Sequence, residues 1–113
     1  AIDMMPTDVV ICDWHYERAE PTYAYFALKG FRVITCPWRR PQVALDQLAD
    51  WQSFQQHSHP TTAERYLGMM QTIWSGADTY LQRLKERATN REPDNLDGSI
   101  RCFEALSEAW PRD

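Results

Sequence analysis

The sequence predicts an α/β fold, with three parallel strands in sequence order and helices packed over them. Three observations predict it. Two runs rich in β-branched residues, at 8–12 and 31–36, have strand length. Each is followed by a proline and then by a stretch whose apolar residues recur at helical spacing. A third segment, 66–74, falls at the same place in this strand–helix cycle.

The first strand is Asp8-Val9-Val10-Ile11-Cys12. A continuous apolar run suits a strand covered on both faces. It stops where polarity jumps, at Asp13-Trp14-His15-Tyr16-Glu17. Pro21 suits a first helical turn, Tyr25, Phe26 and Leu28 supply apolar residues over Thr22 to Lys29, and Gly30 is a helix stop. The second strand is Phe31-Arg32-Val33-Ile34-Thr35-Cys36, ended by Pro37, which cannot donate to a ladder. After Trp38-Arg39-Arg40, Pro41 opens a helix with a stripe of Leu45, Leu48, Ala49 and Phe54, running through Gln55. His57 to Thr62 reads as a loop.

Tyr66 to Trp74 has the length and the Thr-Ile-Trp ending of a strand. Its methionines and leucine also suit a helix, and the alternation of elements decides for strand. Met69 and Met70 are expected in the core. Ser75 and Asp78 have capping-box spacing before a helix bearing Ala77, Tyr80, Leu81 and Leu84. Asn90 to Ser99 reads as a loop, and a last helix reaches Trp110 with Ile100, Phe103, Leu106 and Trp110 buried. Short connections and right-handed crossovers place the three strands side by side in sequence order. Such a sheet leaves two apolar edges uncovered. The chain is therefore expected either to associate with itself through those edges or to be a piece of a larger α/β structure.

Composition excludes several functions. Hydrophobic residues at 43% and charged residues at 25% mark a globular chain, not a disordered one. No apolar run approaches the ~20 residues of a membrane helix, and the opening AIDMMPTD lacks the basic-then-apolar pattern of a leader. A net charge of −4 argues against a nucleic-acid partner. Three cysteines cannot all pair within one chain and form no C-x-x-C unit, so free, buried thiols are expected. No Gly-rich phosphate loop, no G-x-S-x-G and no Cys-His nucleophile context occurs, so neither a cofactor nor a catalytic residue is assigned.

In α/β folds ligands bind at the carboxyl ends of parallel strands. Trp14, Trp38 and Trp74 stand at those three ends, each where an apolar run gives way to polar residues. An indole face stacks on the C–H face of a sugar, and its N–H bonds a hydroxyl. The trio therefore reads as a sugar-ring cage, with Asp13, His15, Tyr16 and Arg39 beside it as polar contacts. Trp51 and Trp110 lie on helices, where packing explains them.

The segments VVICDWHYE (Val9 to Glu17), RVITCPWRR (Arg32 to Arg40) and YLGMMQTIWSG (Tyr66 to Gly76), in this order, resemble the last three units of the (β/α)8 TIM barrel of family 20 glycoside hydrolases, the β-N-acetylhexosaminidase type. The resemblance covers most of the chain. It implies that Trp14, Trp38 and Trp74 wall the subsite at the point of cleavage, enclosing the N-acetyl group that acts as nucleophile in a substrate-assisted mechanism. It also implies that the catalytic Asp-Glu pair lies on an earlier strand, so this chain resembles the C-terminal part of a catalytic barrel, inactive by itself. Two positions depart from the family. Arg39 stands where a tyrosine commonly bonds the N-acetyl oxygen, and Gly76 where a glutamate commonly binds sugar hydroxyls.

Other readings stay open beside this one. Asp13 and His15 read either as hydroxyl-binding groups or as part of a solvated turn, and Glu17 and Glu20 as helix-start acids. His57-x-His59 supplies two imidazoles where a metal site needs three or four ligands. Arg39-Arg40 reads as an anion clamp or as a loop pairing with the helix after it. The same tryptophans would serve a non-catalytic carbohydrate-binding or assembly module. The opening DVVICDW followed by LKGFRVITC also resembles the start of a response-regulator receiver, which needs an acid at the end of its third strand.

Overall fold

A computed structural model describes residues 1–89 and 98–112. A single 3₁₀ turn at Ile2–Met4 precedes the first strand, β1, Val10–Trp14. The remaining elements are α1 (Thr22–Leu28), β2 (Arg32–Cys36), α2 (Pro41–His57), α3 (Pro60–Ala63), β3 (Tyr66–Met69), α4 (Ala77–Thr89) and α5 (Gly98–Ala109). The strands form one parallel sheet in the order β1-β2-β3, as the strand–helix alternation predicts.

Register fixes which residues share a face. Val10 lies opposite Arg32 and Trp14 opposite Cys36, so Ile11, Asp13, Val33 and Thr35 form the other face. That second face meets α1 and α2. Tyr23 and Ala27 of α1 pack with Val33 and Tyr66, and Ile11, Phe26, Trp51 and Phe54 complete the cluster. The first face is open along β1, where Val10, Cys12 and Trp14 are all exposed, and closes only toward buried Cys36. Among the described residues, the expected two-sided cover of β1 is therefore absent. The reason is topological: helical crossovers between strands in strict sequence order put their helices on one side, and covering the other needs a reversal of strand order.

Several elements differ from the sequence reading in instructive ways. β3 ends at Met69, not Trp74. The Met70 amide still donates to the Thr35 carbonyl at 2.9 Å and the Thr72 amide to the Pro37 carbonyl at 2.8 Å. Pro37 has no amide to return, so the ladder cannot continue and 70–74 runs on as extended coil. Between β2 and β3 the register shifts after Val33, and Gly68 takes a φ of +135°, which a glycine tolerates and other residues rarely do. Met70 is exposed and Met69 only half-buried, so neither is a full core residue.

The helices bury some of the expected residues, Leu48 and Ile100 among them, but not others. In α1 the buried pair is Tyr23 and Ala27, one turn apart, while Tyr25 and Leu28 face water. In α2 it is Val43, Ala44, Gln47 and Leu48, and Ala49 is exposed. The His57–Thr62 stretch contains the one-turn α3, whose cap is the His59 imidazole accepting from the Thr61 amide at 3.2 Å. Most of the predicted 90–99 loop lies outside the described residues, and Gly98 and Ser99 belong to α5. Asp78 accepts from the Thr79 amide at 2.9 Å, which is a local turn bond and not a capping box with Ser75. No described residue of α4 is buried. The helix is tied to α5 by Arg87, which grips Glu104 with bonds of 2.6 and 3.2 Å.

α5 packs along α2 through Ser99, Ile100 and Cys102, while Phe103 is exposed. Trp110, expected to be buried on this helix, lies just past its end and is exposed, yet it stacks on Trp51 at 5.5 Å, and Trp51 on Tyr66 at 5.2 Å, so the two tryptophans form one column on the sheet. All three cysteines are free. Cys36 and Cys102 are buried, which pushes each thiol up to about 11, and Cys12 is exposed.

Candidate functional site at the carboxyl end of the sheet

Trp14, Trp38 and Trp74 come together, and a tyrosine gathers them. Tyr16 lies two residues past β1, and its ring centroid is 5.3 Å from Trp14, 5.5 Å from Trp38 and 6.5 Å from Trp74. The contacts with Trp38 and Trp74 are edge-on, the favoured arrangement for aromatic quadrupoles. The Trp74 Nε1–H donates to Tyr16 Oη at 3.1 Å. The Thr72 hydroxyl is shared between Tyr16 Oη at 3.2 Å and the Pro37 carbonyl at 3.1 Å. Trp14 and Trp74 nevertheless remain 63% and 69% exposed, so their faces are open to a ligand. A depression of about 340 Å³ runs along Trp14, His15, Tyr16 and Glu20.

Behind the aromatic cluster sits a polar network. Asp13, only 9% exposed, points to the helix side of the sheet. The Thr22 hydroxyl donates to Asp13 Oδ2 at 2.7 Å. Its proton being committed there, Thr22 accepts from His15 Nε2, also at 2.7 Å, and that same nitrogen is 3.2 Å from Asp13 Oδ1. The network thus selects the imidazole tautomer with its hydrogen on Nε2. His15 Nδ1 is left without a protein partner among the described residues. Gln47 of α2, buried, donates to the His15 carbonyl at 2.9 Å and so holds this turn from below.

The two arginines divide. Arg40 pairs with Glu17 across the strand ends at 2.6 Å, not with the helix after it. Arg39 lays its guanidinium over the Trp38 ring, 4.4 Å from the centroid. Glu20 pairs with Arg18. His57 and His59 serve the backbone, His57 Nδ1 at 2.8 Å from the Ser53 carbonyl and His59 as the α3 cap. Among the described residues no three metal-ligating side chains gather.

Trp14, Trp38, Trp74, Asp13, His15, Tyr16 and Arg39 therefore occupy one end of the sheet. Asp13 and Trp14, adjacent in β1, leave the strand on opposite faces. Thr22, Thr72 and Gln47 escape sequence reading, because a threonine opening a helix and a glutamine inside one are ordinary at those positions. A second groove of about 450 Å³, lined by Met69, Ile73, Tyr80, Phe103, Leu106 and Trp110, shares no residue with this cluster and is mainly apolar. No family model matches the chain, and no curated protein matches it significantly.

Proposed function

We propose that this chain supplies the aromatic and polar wall of a carbohydrate subsite in a glycoside hydrolase-like domain, with N-acetylhexosamine or a related sugar as the ligand and the catalytic Asp-Glu pair outside the chain. The observation that carries the reading is the convergence of Trp14, Trp38 and Trp74 on Tyr16, with two indole faces left open. Indole faces suit sugar C–H faces, and His15 Nδ1 suits a hydroxyl donor. The one-sided sheet supports the barrel part of the reading. A parallel sheet wound in one direction with helices on one side is the arrangement that closes on itself, its bare face turning inward. Chain self-association is the other way to pair the free edges of β1 and β3.

The receiver reading lacks its acid: β3 ends in Met69, and Met70 and Gln71 follow. The test is a titration of the chain with N-acetylglucosamine and its dimer, read at the five indole N–H signals by nuclear magnetic resonance. Trp14, Trp38 and Trp74 should shift while Trp51 and Trp110 stay. Shifts confined to Trp51 and Trp110, or none at all, refute the proposal. Hydrolysis of an aryl N-acetylhexosaminide by the chain alone refutes the absent catalytic pair.

A further inference from the structure

We infer that the sugar held at this subsite carries an oxyanion, a carboxylate or sulfate, and that Arg39 is the residue that selects it. The inference rests on the carbohydrate reading above and adds the class of sugar. It starts from how charge is matched around the cluster. Among the described residues each carboxylate near it has a partner: Asp13 takes Thr22 and His15, Glu17 takes Arg40, and Glu20 takes Arg18. Arg39 has no ion-pair partner among the described residues. Its guanidinium lies over the Trp38 face, and that ring is itself one of the subsite walls.

Two further features make this position receptive to negative charge. α2 starts at Pro41, its Arg40 cap makes no side-chain hydrogen bond, and no acid stands in its first turn. The positive end of a helix of 17 residues is therefore not offset by its own side chains. The Arg39 backbone is also held in place, since a Cβ on Gly98 would fall 2.5 Å from the Arg39 carbonyl oxygen, which puts the start of α5 directly against it. The contact with the Trp38 face leaves the guanidinium N–H groups uncommitted among the described residues. Those donors keep the fork geometry that matches a carboxylate or sulfate, and less freedom is lost when it binds. Among the described residues, a neutral sugar would leave this cation without a counter-charge.

The test uses the whole chain and three matched methyl glycosides: a glucuronide, a 6-sulfated glucoside and the neutral glucoside. Affinities are read at the indole signals of Trp14, Trp38 and Trp74. At least one anionic sugar should bind about 5- to 10-fold tighter than the neutral one, in line with a charge-assisted bond at a partly exposed site. The two anionic arms tell carboxylate from sulfate. In Arg39→Gln the ratio of anionic to neutral affinity should fall to near parity, with constant Trp51 and Trp110 signals reporting an intact fold. Equal binding of all three sugars by the wild-type chain overturns the inference and leaves the subsite standing. So does a preference that survives in Arg39→Gln. Absence of any response at the three indoles overturns the subsite, and this inference with it.

Discussion

The part played by Tyr16 can be measured by taking its hydroxyl and its ring away separately. Tyr16→Phe removes an oxygen that accepts from Trp74 Nε1 at 3.1 Å and from Thr72 at 3.2 Å. Neither donor is stranded: Thr72 keeps the Pro37 carbonyl at 3.1 Å, and Trp74, at 69% exposure, can turn its N–H to water. The loss is then the net worth of an ordinary hydrogen bond, about 0.5–1 kcal/mol, or roughly 2–6 °C in Tm for a domain of this size. Tyr16→Ala also removes three ring contacts, each worth about 0.5–1.5 kcal/mol when well formed. With two of the indoles largely exposed, about 2–3 kcal/mol in total is expected. Urea unfolding gives both values, and the indole spectrum shows where each acts: Tyr16→Phe should move Trp74 alone, Tyr16→Ala all three. If the two variants lose the same stability, or if Tyr16→Phe leaves the Trp74 signal unmoved, the gathering role of Tyr16 is wrong.

Three further outcomes follow from the packing. Tyr66→Phe leaves the buried Thr35 hydroxyl without the Tyr66 partner it has now, and should cost about 1–3 kcal/mol in urea titration. Under native conditions at pH 8 a thiol reagent should label Cys12 first. Cys36 and Cys102, buried with thiols near 11, hold only about one part in a thousand as thiolate and should react on unfolding. Equal labelling of all three would contradict the fold. Hydrogen bonds from Arg87 hold the Glu104 carboxyl below the usual carboxylate range. A lowered folded value means that the pair's stabilisation is complete above about pH 4.3, the unfolded value, and fades as pH falls through the folded one. Glu104→Gln should therefore lower stability at neutral pH and flatten its decline below about pH 4.3; a Gln variant that declines as steeply as wild type would contradict this.

The sequence carries the strand order well because β-branched runs and the prolines after them act locally. Val33-Ile34-Thr35-Cys36 and its Pro37 stop need no tertiary information. It carries helix faces less well. Tyr25 and Leu28 are as apolar as Tyr23 and Ala27, and only the crossing of α1 over the sheet chooses between them. The end of β3 was hidden because its cause, the missing amide of Pro37, lies on the neighbouring strand. At the candidate site, the gathering of the tryptophans toward one end of the sheet was legible, although Trp74 follows a coil after β3 and does not end that strand. Their common neighbour was not: Tyr16 looks like one member of a polar turn until three distant segments close on it. Thr22 is equally silent, because its hydroxyl matters only once Asp13 and His15 turn to the same side as the helix.

Asp13 and Trp14 are adjacent, yet one is among the most buried polar residues and the other among the most exposed apolar ones. Because side chains alternate, sliding β1 by one residue along β2 would exchange them. The indole would then meet the space now filled by the Thr22 hydroxyl, and the carboxylate would lose both its bonds and face outward. Neither member gains from that exchange. These last two residues therefore act as a two-sided latch on the first strand, admitting one alignment of the sheet, and the alignment admitted is the one that brings Trp14 within reach of Tyr16.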